Sequence, residues 1–465
     1  MVGFAAPWRR NGLVTLATLA IIVSACGGGA SPTPSAAASE APSAAASAAA
    51  SAAASAAASA AASEAPSAAP SAAGATTLGS NESDAVPKAA VQAIVDYCQT
   101  KSGITVKVNT TDHNTFQNQI SSYLQGKPDD VVKWFAGNRV RFFAAQGLLS
   151  PLDDVWATID QYMTPGLKAA STGDDGHQYF VPVYNYPWVV MYRKSLFTEK
   201  GYAIPKTLDE FVTLAKKMQA DGLVPLAFGD SDGWPAMGTF DILNMRMNGY
   251  KFHVDLMAGN AKWSDPKVKA VFAKWAELLP YFQQGAPGRT WQDAAKLALV
   301  DKKAGMYFLG TFANEQAGPE NTPDVGFFPF PTLGTQYDAE NAIDAPIDGF
   351  MMVAKPKNPE AAKAFLKCVG SPEAQLAYVL TPGLTSVAVS PMADTSKYND
   401  VQKAEAEVLK NSGSIAQFLD RDARADFAGP SGMQGFLLSF LNNPKQDLDK
   451  FLSGIQSYYD SLPPQ

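Results

Sequence analysis

The sequence predicts an α/β fold divided into two lobes. Strand-like and helix-like patterns alternate through most of the chain, as they do when helices cover a sheet. The alternating part is about 390 residues long, more than one hydrophobic core usually serves, so it should divide. Its start is marked by composition: from Ala30 to about Ala75 the chain is almost wholly Ala, Ser and Pro, with only Glu40 and Glu64 charged. Such a segment has no large apolar side chains to offset the entropy of ordering, and reads as an extended tether.

The elements follow in order. Ala89–Cys98 places apolar residues at helical spacing, Ile104–Val108 alternates like a strand, and Phe116–Leu124 is helical again. Asp130-Val131-Val132 leads as a strand into Trp134-Phe135, and Phe142–Leu149 is a short helix closed by Gly147. Tyr179–Tyr192 is strand-like and rich in aromatics. Thr207 and Glu210 form a capping box opening a helix that runs to Met218 and stops before Gly222. Val224–Phe228 reads as a buried strand, Asp265-Pro266 starts a helix through Leu279, and Trp291–Val300 is helical. Ala304–Leu309, Val325–Phe330 and Gly349–Ala354 are strands, helices follow at Pro359–Val369 and Pro372–Leu380, and the tail after Asn399 is mainly helical.

The beginning of the chain is an export signal. Arg9 and Arg10 precede the apolar run Leu13–Val23, about eleven residues where a membrane-spanning helix needs ~20. Val23-Ser24-Ala25-Cys26 resembles a bacterial lipobox, which implies cleavage after Ala25 and lipidation of Cys26. Residues 1–25 are then the signal peptide, and 26–75 the lipidated cysteine and tether, with Gly27-Gly28-Gly29 as a flexible exit. An ordinary secretory signal with an incidental cysteine is the alternative. Outside the membrane the protein has no ATP supply.

Composition narrows the function further. The net charge of −7 leaves no basic footprint for nucleic acid, and membrane attachment would rest on the lipid. All but one of the eight tryptophans lie beyond the tether, so that portion holds the core and any aromatic binding surface. With only three histidines and no CxxC or HExxH, zinc is not expected. Cys98 and Cys368 lie in an oxidising compartment, where a bridge and a pair of buried thiols are both open.

Four blocks together resemble the extracytoplasmic solute-binding proteins of ABC importers, in the sugar-binding group that includes maltose-binding protein (solute-binding protein family 1). They are Pro182–Leu196 ending Met191-Tyr-Arg-Lys-Ser-Leu-Phe197; Ile204–Val212 through Leu223–Ala227; Lys303–Gly310 with Thr311-Phe312-Ala313; and Gly349–Ala354 with Asn358–Leu366 and Ser371–Gln375. The start departs from the pattern, because Thr76–Gly79 is thin where members open with a longer apolar strand. The resemblance implies the two-lobe periplasmic-binding-protein fold (type II), with hinge crossings near 182–186, 333–346 and 390–398 and a ligand cleft between the lobes. The N-terminal lobe would hold 76–183 and 345–392, and the C-terminal lobe 184–344 and 393–465. It further implies a monomeric binding protein with no catalytic role and no cofactor. Such a protein sits outside the cell membrane and captures a mono- or oligosaccharide for the transmembrane subunits of an ABC permease.

A sugar presents hydroxyls around its ring and apolar C–H faces, so its site needs flat aromatics beside amides, carboxylates and guanidinium groups. The resemblance places ligand loops at strand ends facing the cleft. Trp134 is the expected stacking platform there, with Asn138 and Arg139 as hydrogen-bonding partners. Asn185, Tyr186 and Trp188 lie at the first crossing, Trp234 follows a buried strand, and Phe312 stands where members carry a stacking aromatic. Asp112 and His113 follow the second strand, and Asp348 precedes a strand entering the cleft. Trp263, Trp275 and Trp291 read as core, Asp420–Arg424 as a solvated face, although C-terminal helices of the family can reach the cleft, and the first loop Ser80–Asp84 stays open. The competing functions are a binding protein for another solute and a secreted glycoside hydrolase. The hydrolase would need two carboxyls about 5–9.5 Å apart across the sugar, and no such pair stands out.

Overall fold

The computed structural model describes residues 74–463; the expected signal peptide, Cys26 and nearly all of the tether lie outside them. Among the described residues the chain builds two main sheets, each packed with helices, and one small two-stranded sheet. The first has six strands, in the order Val387–Ala388, Phe180–Asn185, Ile347–Met352, Val131–Phe135, Ala75–Ser80 and Thr105–Thr110. Ala75–Ser80, thin in sequence, pairs in parallel with both Thr105–Thr110 and Val131–Phe135. Ile347–Met352 runs antiparallel between Val131–Phe135 and Phe180–Asn185. The second sheet has four strands, ordered Val224–Ala227, Ala304–Gly310, Trp188–Arg193, Val325–Phe328.

Only Tyr186 and Pro187 separate the strand ending at Asn185 in the first sheet from the one opening at Trp188 in the second. The chain returns through a short strand, Ala342–Asp344, which pairs with Ser414–Ala416 just before Ile347 enters the first sheet. The helix Asp400–Asn411 remains anchored on the first body: Gln402 Nε2 donates to the carbonyls of Val379 and Ser386.

Each sheet carries its own core. Alternate residues of a strand face opposite sides, so Val131 joins one apolar cluster with Trp156, Phe350 and Phe365, while Val132 and Trp134 join another with Phe116, Phe143 and Met351. The second sheet is covered by a larger cluster that includes Met191, Phe240, Phe272, Trp275 and Phe440. The capping box forms with both halves in place, and its helix runs Leu208–Ala220. Cys98, on the helix Ala85–Ser102, is joined by a disulfide to Cys368 on Pro359–Val369, with Cα atoms 5.7 Å apart.

Candidate functional site

The strand ends of the two sheets meet around a cavity of about 90 Å³. Its two sides differ in chemistry. The second sheet and the segments beside it supply Trp188, Trp234, Trp291, Phe312 and Phe418. These rings brace one another: Trp188 stacks on Phe418 with centroids 4.8 Å apart, and Trp291 and Tyr186 meet the Phe312 ring edge-on at 5.2 and 5.0 Å. Gly310 makes the last contact possible, because a Cβ there would lie 2.5 Å from Phe312 and 2.9 Å from Tyr186.

The first sheet supplies charge. Lys133, wholly buried in the middle strand, pairs with Glu82 and with Asp348 Oδ2, the latter at 2.8 Å. Arg421 Nη1 donates to Asp348 Oδ1 at 2.5 Å and its Nη2 donates to the Tyr186 hydroxyl at 2.9 Å. The Tyr184 hydroxyl lies 2.9 Å from Glu82 Oε1 and 3.0 Å from Asp348 Oδ2. The Arg421 guanidinium also lies over Phe135, 4.2 Å from the ring centroid. Burial opposes ionisation of Asp348, but Arg421 and Lys133 outweigh it and hold the carboxyl below its ordinary range. Gly137, with φ of 70°, lets the loop after the middle strand approach Arg421, whose carbonyl would sit 2.8 Å from a Cβ at that position.

Arg139 completes the group by donating to Asp420 Oδ2 at 3.2 Å and to Gln117 Oε1 at 2.7 Å. The cluster therefore balances three cations, Lys133, Arg139 and Arg421, against three carboxylates, Glu82, Asp348 and Asp420. Burial pushes His113 below its ordinary value, so its ring is neutral. It pushes Glu315 well above the usual carboxylate range, which favours the protonated form. The salt-bridged cluster is balanced in itself; Asp84, which also lines the cavity, accepts from Gln316 Nε2 and has no cation partner among the described residues. Among the described residues, several cavity-lining groups have buried polar atoms with no hydrogen-bond partner: Asn81 Oδ1, Glu315 Oε1 and the indole nitrogens of Trp188 and Trp234, while Asp420 Oδ1 and Arg421 Nε face each other as a loose ion pair at 3.6 Å. An unpaired buried polar atom costs about 1–3 kcal/mol, so these groups await a ligand with donors and acceptors of its own.

Of the residues expected at the site, the structure brings His113, Tyr186, Trp188, Trp234, Phe312 and Asp348 to the cavity. It does not bring Trp134. That indole is fully buried among Phe116, Phe135 and Phe143, and its nitrogen donates to the Arg139 carbonyl. Asn138 is spent on the Asp422 carbonyl, and Asp112 caps the helix His113–Gln125 through the Thr115 N–H. Arg139 stands behind Gln117 and Asp420, and Asn185 lies within the first sheet between Ile347 and Val387. Two regions depart from the sequence reading: Trp291 lines the cavity instead of filling a core, and Asp420 and Arg421 are buried at it instead of solvated. Asn81–Asp84 of the first loop, left open by the sequence, face it as well. Trp291 opens its helix, Trp291–Leu299, and a helix-opening aromatic next to a loop was the available signal. For Arg421 there was none, because its partner Asp348 is remote in sequence.

The family profile described as bacterial extracellular solute-binding protein matches residues 79–376. A solved bacterial solute receptor, AcbH, described as having an exclusive preference for β-D-galactopyranose, is 46% identical, with a TM-score of 0.81 over 84% of this chain and 99% of its own. A chitin oligosaccharide binding protein shares the fold at 21% identity, with a TM-score of 0.71 over 83% of this chain and 98% of its own. Among curated relatives, an uncharacterised ABC transporter extracellular-binding protein of Pyrococcus horikoshii is 28% identical, the match covering 63% of this chain and 65% of the relative. A second from that organism is 30% identical over 33% of this chain and 37% of its own length, so the chain spans two thirds or less of these two relatives. The alpha-glucosides-binding periplasmic protein AglE of Rhizobium meliloti is 23% identical over 81% of this chain and 85% of its own length.

Proposed function

This chain belongs to the family of bacterial extracellular solute-binding proteins, and we propose that it captures one neutral pyranose sugar between its lobes for an ABC importer. The observation that carries the proposal is the cavity itself, in which aromatic faces oppose a charge-balanced set of unpaired donors and acceptors. The preference described for the 46% identical receptor supports a hexose such as β-D-galactopyranose. Size supports the same reading. A cavity needs about 10–15 Å³ per water, so about 90 Å³ matches one sugar ring with its hydroxyls and is small for an oligosaccharide. Both Asp348 oxygens are already taken, so its part is to hold Arg421 and Lys133 in place. Glu315 Oε1 and Asn81 Oδ1 remain to meet hydroxyls, a hydroxyl can bridge the 3.6 Å gap between Arg421 Nε and Asp420 Oδ1, and Trp291 and Phe312 supply faces for the C–H side.

The lobes in this reading are 76–183 with 345–392, and 184–344 with the C-terminal part, the last return of the chain lying beyond Gln402. Bonds across the cleft, Asn114 Nδ2 to Asp232 Oδ1 at 3.0 Å and Gln316 Nε2 to Asp84 Oδ2 at 3.1 Å, would form on closure. Closure buries the sugar and gives the permease a state to distinguish from empty protein. A lipid on Cys26 is the proposed anchor; among the described residues no helix is long and apolar enough to cross a membrane. The proposed form is a monomer with no catalytic step.

A thermal-shift panel of galactose, glucose, a disaccharide, galacturonate and spermidine tests this. A ligand at 100 times its Kd adds about 2.7 kcal/mol of stability. The proposal expects a shift with a neutral monosaccharide. A shift only with the charged compounds, or only with the disaccharide, overturns it.

A further inference from the structure

We propose that Asp241, His253 and Asp344 form a binding site for one divalent transition-metal ion, Zn²⁺ or its like, in the second lobe. The three come from separate elements: the helix Pro235–Asn248, the helix Tyr250–Met257 and the strand Ala342–Asp344. One ligand atom from each lies within 4.8 Å of the others. All three side chains are essentially inaccessible, with 0%, 0% and 1% of their surface exposed.

The second observation is the state of their polar atoms. Neither oxygen of Asp344 has a hydrogen-bond partner among the described residues, and Asp241 Oδ1 has none either. Among the described residues no lysine or arginine pairs with any of the three. Two carboxylates buried without a cation are costly unless protonated or bound to a metal. Asp241 is already aimed, because its Oδ2 accepts the Leu419 N–H at 2.7 Å. His253 Nδ1 lies 3.9 Å from Asp241 Oδ1 and accepts from Asn244 Nδ2 at 3.2 Å, while Asn244 Oδ1 is held by Asn248 Nδ2 at 2.9 Å. That chain of amides makes Nδ1 the unprotonated nitrogen, and a metal would take its lone pair by displacing the Asn244 amide. One imidazole and two carboxylates suit zinc or its neighbours; calcium and magnesium prefer oxygen alone. Zinc bonds of about 2.0–2.2 Å put tetrahedral ligands roughly 3.3–3.5 Å apart, so the 3.9 Å pair needs to draw in by about half an ångström and the widest separation, within 4.8 Å, by up to about 1.5 Å.

The ion would tie two helices of the second lobe to the strand from which the chain returns to the first, four residues before Asp348. Asp241 would also couple it to Leu419, next to the cavity residues Asp420 and Arg421.

Because the site is closed, the test loads it during folding. The full chain is denatured with its disulfide intact, refolded with Zn²⁺ or with EDTA, dialysed and assayed for bound metal and for thermal unfolding. The proposal expects close to one Zn²⁺ per chain, a higher unfolding temperature than in EDTA, and loss of both in Asp344→Asn and His253→Gln. Refolding with Co²⁺ gives a readout that needs no variant: a visible absorption band of low-coordinate nitrogen and oxygen ligation, quenched by Zn²⁺. Absence of stoichiometric metal in the wild-type chain, no such band with Co²⁺, or Zn²⁺ retained by both variants overturns it. The sugar panel on the metal-free protein reports on the cavity separately, so either reading can fail without the other.

Discussion

Two buried acid clusters lie close together in this fold, and they are handled in opposite ways. At the cavity every salt-bridged carboxylate has a cation: Glu82 and Asp348 share Lys133, Asp348 also holds Arg421, and Asp420 holds Arg139. In the second lobe, Asp241 and Asp344 face each other and His253, with the Asp422 carboxyl nearby, and among the described residues no lysine or arginine pairs with them. Burial holds Asp344 well above the usual carboxylate range, while Asp348, equally buried, is held below it. Burial alone does not decide the charge of an acid; its partners do. The cavity uses compensated charge to fix the direction of donors and acceptors, and the second cluster keeps its carboxylates without any such partner.

The largest effect on this contrast should come from removing the cavity's central cation. Lys133→Met leaves Glu82 and Asp348 with one fewer partner inside the first sheet. Breaking a buried pair from one side costs about 3–5 kcal/mol, to be read as a drop in the denaturant midpoint. A change below about 1 kcal/mol would mean the cluster is better hydrated than its geometry implies.

Trp134→Ala tests the boundary between cavity and core. The indole is packed on all sides, so the change should cost about 3–5 kcal/mol of stability and leave sugar affinity within a few-fold. The sequence reading expected the reverse. The reason it misled is local: every residue of Val131–Phe135 is buried, and the strand lies between two others. Without polar alternation the pattern cannot say which side chains face a cleft.

Asp344→Asn probes the uncompensated cluster. In EDTA it should raise stability by ~1–2 kcal/mol, because it removes a buried acid that has no partner. Asp348→Asn should do the opposite. A loss of stability for Asp344→Asn in EDTA would show that Asp344 has support the structure does not display.

The acid limb of stability should be the smallest of these effects. The folded pKa of Asp348 is lowered, so the unfolded chain binds its proton more readily. Its contribution is present above the unfolded value, about 3.9, and fades as pH falls through the folded one. The denaturant midpoint should fall below about pH 4, and fall less steeply in Asp348→Asn. Equal slopes for the two proteins would remove Asp348 from the acid response.

What could be read in the sequence followed from short-range signals. The Thr207–Glu210 box, the strand blocks around Trp188 and Ala304, and the helix at Pro359 all lie where their local patterns put them. The helix Pro235–Asn248 gave no signal, since nearly all its residues are buried and it shows no polar face. Arg421 sits on a four-residue helix too short for any periodicity, and its charged neighbours suggested solvent. Only the fold reveals that Asp348, Tyr186 and Phe135 surround it. The disulfide was equally illegible: two cysteines in an oxidising compartment allow a bridge, and the packing of their two helices decides it.

The central claim is that one neutral sugar binds at Arg421 between an aromatic wall and a charge-balanced one. Calorimetric titration of D-galactose into the wild-type chain and into Arg421→Gln, each verified as folded by circular dichroism, tests it most directly. The account predicts one sugar per wild-type chain and at least a 100-fold weaker Kd in the variant, which loses a charged donor worth about 2.7 kcal/mol or more. Equal affinity in the two proteins, or no binding of a monosaccharide by the wild type, would contradict it.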